Sequence, residues 1–125
     1  MAKFMLVRFS VMAEITDAGA LREAALKNFD ADDSTHGYPD TADWHASREG
    51  QQERRQVATQ DRDALNQLVD PAKACGLLDG VPGAKTTGVS AMVVELEGTT
   101  KREARADWGE REGIPWLADL PESAD

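Results

Sequence analysis

KFMLVRFSVMAEI, residues 3–15, is the stretch on which the reading of this chain turns. It is the longest apolar segment, and it alternates. Met5, Val7, Phe9, Val11, Ala13 and Ile15 share one parity, while Arg8, Ser10 and Glu14 share the other. Successive side chains of an extended chain point to opposite faces, so the pattern describes a strand with one buried and one half-wetted side. Phe4, Leu6 and Met12 fall on the polar parity, so the second face is expected to be partly covered, as in a central strand. A second run, Thr86 to Glu97 (TTGVSAMVVELE), has the same character. There Val89, Ala91 and Val93 lie on one parity and Met92, Val94 and Leu96 on the other.

Between these runs the signals change. Thr16-Asp17 offers capping oxygens ahead of AGALREAALKNF, whose strong helix formers place Leu21, Ala25 and Phe29 on one stripe; a helix is expected over 17–29. Residues 30–43 (DADDSTHGYPDTAD) are turn chemistry. The next stretch reads as a hairpin, 43–47 and 52–58, although both arms are poor in β-branched residues and a helix across 47–58 competes. Thr59 is placed to cap a further helix that carries Asp61 and Asp63 in its first turn and Ala64, Leu65, Leu68 and Val69 on its apolar face. Asp70-Pro71 then starts a short helix, 71–76, ended by Gly76 and the DGVPG run.

Strand, helix, hairpin, helix, strand is the order of a ferredoxin-like α+β fold. That layout is a βαββαβ antiparallel sheet with both helices on one face, here a single domain over residues 1–98. Residues 99–125 form a charged C-terminal extension, helix-permissive around Ala104 and Trp108. It is expected to dock through Ile114, Trp116, Leu117 and Leu120 on its own domain or on a partner, with PESAD frayed.

One hundred and twenty-five residues suffice for one hydrophobic core without staples. Net charge is the unusual property: 23 acids face 14 bases, leaving −9. Such a surface repels nucleic-acid phosphates and anionic lipid, and it steers basic partners inward. Cys75 is the single cysteine, so no intrachain disulfide forms; its apolar setting (AKACGLL) reads as a small buried hydrophobe. No signal-peptide pattern and no run of membrane-spanning length is seen, which points to the cytoplasm.

No catalytic set, metal or cofactor is expected. Asp30-x-Asp32-x-Ser34, with Asp33 and His36 nearby, suggests a calcium loop, but Thr35 and Thr41 occupy the positions that need glycine and glutamate. His36, Tyr38, Asp40, Asp43 and His45 crowd one segment without a nucleophile or oxyanion donors. The glycines of DGVPGAKTTG lie between a helix and a strand, the reverse of a phosphate loop.

Charge and aromatics carry the functional reading. Between residues 30 and 50 six acids (Asp30, Asp32, Asp33, Asp40, Asp43, Glu49) face Arg48 alone, which leaves −5 of the total −9 in one segment. Trp44, Trp108 and Trp116 each have an acid close by, namely Asp43, Asp107 and Asp119. A ring that anchors beside carboxylates that select suits a protein-binding surface. The expectation is a small acidic, non-enzymatic module that caps a basic protein partner, as an immunity protein caps a nuclease toxin or a phosphate mimic its target. Its expected binding residues are Asp30, Asp32, Asp33, Tyr38, Asp40, Asp43, Trp44, Trp108 and Trp116. The alternative is a ferredoxin-like homodimer whose sheet encloses a small-molecule pocket, as a binder or an enzyme.

Overall fold

Local capping, not alternation, decides the middle of the chain. A computed structural model describes residues 2–119, except for the side chains of Ala74 and Cys75. Its α-helices are α1 (Ala18–Ala31), α2 (Thr41–Ala46), α3 (Arg48–Thr59), α4 (Asp61–Leu68) and α5 (Lys101–Glu112), with 3₁₀ segments at Pro71–Leu78 and Pro115–Asp119. No described residue lies in a strand. The expected α+β ferredoxin-like βαββαβ sheet is thereby corrected: the ordered elements of the described chain are all helical.

The physical reason begins at residue 40. Asp40 caps α2 by accepting the Asp43 N–H at 2.7 Å. Ser47 caps α3 by accepting the Gly50 N–H at 2.9 Å, and its own hydroxyl donates to the Trp44 carbonyl at 2.6 Å. These caps satisfy amides that a helix start leaves open, and the Arg, Glu, Gln and Ala that follow are good helix formers. The hairpin is therefore replaced by α2 and α3, and the competing helix over 47–58 is realised. Residues 2–15 and 84–96 carry no helix and no strand ladder. Alternation states which side chains share a face, but it does not supply the neighbouring amides that close a sheet.

The chain divides into two compact units, Ile15–Val94 on one hand and Met1–Glu14 with Glu95–Asp125 on the other. In the first, α1 packs on α3 and α4, and α3 also meets α2 and α4. Asp17 caps α1 through the Ala20 N–H at 3.0 Å. The expected stripe of Leu21, Ala25 and Phe29 then faces the core. That core comprises Ala25, Phe29, Trp44, Val57 and Ala64, with Leu21, Leu26 and Tyr38 packed around it. Ala25 and Ala64 are fully buried, which lets α1 and α4 lie close. Gln67 donates to Asn28 at 2.8 Å, and Arg22 lies 3.6 Å from Asp61 on the same interface. Thr59 does not cap α4: it ends α3, its hydroxyl donating to the Arg55 carbonyl at 2.7 Å, and Gln60 precedes α4 without a side-chain cap. Asp70 and Pro71 open the 3₁₀ segment as expected, with the Ala72 N–H donating to Asp70 at 3.0 Å.

In the second unit Thr100 caps α5 by accepting the Glu103 N–H at 3.2 Å, and its hydroxyl donates to the Glu103 carboxylate at 3.1 Å. Gly113 ends that helix at φ +70°, a left-handed conformation that glycine adopts without Cβ strain, and the Ile114 N–H reaches back to Gly109 at 2.7 Å. Leu117 is buried and Ile114 half-buried, whereas Trp116 is exposed. Asp107 accepts the Glu97 N–H at 2.8 Å and Arg111 at 2.9 Å, and Ser10 donates to Glu112. The expectations for the Cys75 side chain, Leu120 and residues 121–125 lie outside the described residues. No described helix is long and apolar enough to cross a membrane.

Candidate acidic interface

Most of the expected acids stand at two helix ends, the C-terminus of α1 and the N-terminus of α2. Asp30 sits on the last turn of α1 and is forked by Arg54 of α3, with Nε and Nη2 at 2.9 and 3.0 Å from its two oxygens. Asp32 follows the helix. Its carboxylate accepts the Ser34 N–H at 2.9 Å and lies 3.7 Å from His36 Nε2. Asp40 and Asp43 occupy the cap and first turn of α2, where the helix dipole favours negative charge. Asp33, Asp40, Asp43 and Glu49 are exposed. Among the described residues no lysine or arginine pairs with Asp32, Asp33, Asp40, Asp43 or Glu49, so Asp30 alone of the six acids is neutralised by a strong base.

The loop that carries these acids is folded over Trp44. His36, at φ +50°, stacks on the indole with centroids 4.2 Å apart and planes 25° off parallel. Tyr38 lies at 5.7 Å and Phe29 at 6.4 Å from the same ring, while His45 meets Phe29 edge-on at 5.4 Å. Trp44 is only 4% exposed, so its ring supports the loop from beneath and presents little surface. Of the expected binding aromatics in this unit, half-buried Tyr38 is the one that reaches solvent beside the acids. Trp108, half-buried on α5, and exposed Trp116 belong to the other unit.

The chemistry of the face is ionic. Both histidines are engaged with rings, and among the described residues no group of three or more His, Cys, Asp or Glu is arranged to hold a metal ion. The calcium-like Asp30-x-Asp32-x-Ser34 run is spent internally, Asp30 on Arg54 and Asp32 on a backbone amide. The depressions along 78–89 and between α3 and α4 are open grooves. Arg54 had no signal in the sequence, because its partner lies 24 residues away.

Hydrogen bonds from Arg54 hold the Asp30 carboxyl below the ordinary carboxylate range. A depressed folded pKa stabilises the fold above the unfolded value, near 3.9, and that contribution is lost as pH falls through the folded value. About half of each side chain remains exposed, so solvent screening keeps the pair below about 1 kcal/mol. Asp30→Asn is accordingly expected to lower the melting temperature slightly at pH 7. The difference from the parent chain should close as pH drops below about 4, in thermal melts across a pH series. A gap that persists undiminished at pH 2 would assign the effect to something other than this ion pair.

No protein-family model matches this chain, and no curated protein or solved structure matches it.

Proposed function

We propose that this protein is a small acidic binding module, without catalysis of its own, that caps a basic protein partner. A nuclease toxin held by an immunity-type inhibitor is the kind of target its charge suits. The observation that carries the reading is the set of Asp32, Asp33, Asp40, Asp43 and Glu49, all in one loop-and-helix stretch and none paired with lysine or arginine among the described residues. Asp32 and Asp40 are held in place by backbone N–H groups, so part of the negative face is ordered before a partner arrives. Pre-ordering reduces the entropy lost on association, and a concentrated field raises the encounter rate. Tyr38 at the edge supplies an amphipathic contact. The competing pocket enclosed by a ferredoxin-like sheet falls with the sheet.

The test is capture from a lysate of the native host at low and at high salt. A basic protein retained at low ionic strength and weakened at least about tenfold at high salt supports the reading. Joint Asp33→Asn and Asp43→Asn replacement should then slow association about tenfold while leaving the helical circular dichroism unchanged. Absence of any basic partner at both ionic strengths refutes it.

A further inference from the structure

We infer that residues 7–15 form the contact between two copies of this chain, paired as antiparallel strands about a two-fold axis at Val11. The inference is independent of the acidic face. It starts from a mismatch: Phe4, Met5, Leu6, Val7, Phe9 and Val11 are between 54% and 90% exposed, in the most apolar stretch of the sequence. Large apolar side chains left exposed together in one segment mark an interaction surface. The backbone is open as well, since among the described residues no backbone hydrogen bond involves residues 2–14. A segment with free amides and carbonyls can take up the strand conformation and pair with another strand.

The occupant follows from the charges. The segment carries three of them, Lys3, Arg8 and Glu14. A two-fold axis normal to a ribbon returns each side chain to its own face, so opposed residues must share a parity. Lys3 and Glu14 have different parities and cannot face one another in such a pair. Arg8 and Glu14 share a parity, and opposing them places the axis midway, at Val11. That one register also sets Val7 against Ile15, Phe9 against Ala13 and Val11 against its own copy on a continuous apolar face, with Ser10 against Met12 beside the charges. Each symmetric pair supplies two Arg8–Glu14 contacts. The surface is therefore complementary to itself, which designates a second copy as the partner. An isolated two-stranded ribbon is marginal in water, but here Ser10 is tied to Glu112 of α5, so each strand comes attached to a folded unit.

Sedimentation equilibrium of the full chain over a concentration series tests the contact. The expected result is a reversible dimer. Arg8→Glu or Glu14→Arg alone opposes like charges twice per dimer and should raise the dissociation constant roughly tenfold, whereas the two together should restore it. In a Cys75→Ser background, Val11→Cys should cross-link two chains on oxidation and Val7→Cys should not, because only Val11 faces its own copy. A monomer at every concentration, leaving the segment to a different protein, overturns the inference. So does indifference to single charge reversal, or cross-linking at residue 7 but not at 11.

Discussion

Trp44→Ala is expected to lower the stability of the Ile15–Val94 unit by about 3–5 kcal/mol, enough to leave much of it unfolded at 37 °C. The indole is the largest side chain in a core of five buried residues and is 4% exposed. Phe29, Tyr38 and His36 all pack on it, from α1 and from the loop that precedes α2. Removing the ring leaves these groups facing a void that so small a core cannot refill. At roughly 4–8 °C per kcal/mol for a unit of this size, the melting temperature should fall by more than about 12 °C. Trp44→Phe, which keeps a ring, should recover most of the loss. Thermal unfolding followed by far-ultraviolet circular dichroism reads both, and a drop of only a few degrees for the alanine variant would place the indole outside the core. The same experiment guards the interface: a Trp44 variant that loses its partner has lost the platform beneath the acids, not a contact.

Gly50→Ala should destabilise the same unit by about 1–3 kcal/mol or more, against the ordinary preference of helical positions for alanine. Alanine is the better helix former by about 1 kcal/mol, so propensity alone predicts a gain. Space decides otherwise. A Cβ at residue 50 would land on the Trp44 carbonyl oxygen, with the carbonyl carbon 3.0 Å and Ser47 Oγ 3.1 Å away. The atoms in the way are backbone, and that carbonyl already accepts from Ser47. The turn between α2 and α3 would have to open, breaking the cap of α3. Urea titration measures the change, with Gln51→Ala on the exposed face of α3 as a control expected within about 0.5 kcal/mol. A more stable Gly50→Ala chain would show that the close approach does not exist.

The helix at α1 was legible because cap, stripe and composition agree over fourteen residues. The turn expected over 30–43 holds only for 32–40, because Asp30 and Ala31 close α1 and Thr41 opens α2; the start at Asp70-Pro71 was legible, since it depends on residues adjacent in sequence. The misreading at 43–58 came from weighing WHAS and ERRQVAT as strand arms. Asp40 and Ser47, both good cap residues each followed by a helical turn, carried the opposite message in plain sight. Residues 3–15 show the other kind of failure. Their parity was readable, but a sheet depends on what lies alongside, and nothing within the segment encodes that. The acidic segment was legible as a sum of charges. Its internal division was not: the diversion of Asp30 to Arg54 and the burial of Trp44 both depend on pairings that only the folded chain creates.

Asp40 is at once a surface charge and the cap of α2. Any mutational drift that sheds its charge for a hydrocarbon side chain also strips an amide of its acceptor, so the potential of the face and the integrity of the helix under it cannot vary separately. Asparagine is the exit from that bind, because its carbonyl oxygen keeps the cap while the charge goes. Descendants of this sequence that change the sign preference of their ligand should travel through that amide rather than through alanine.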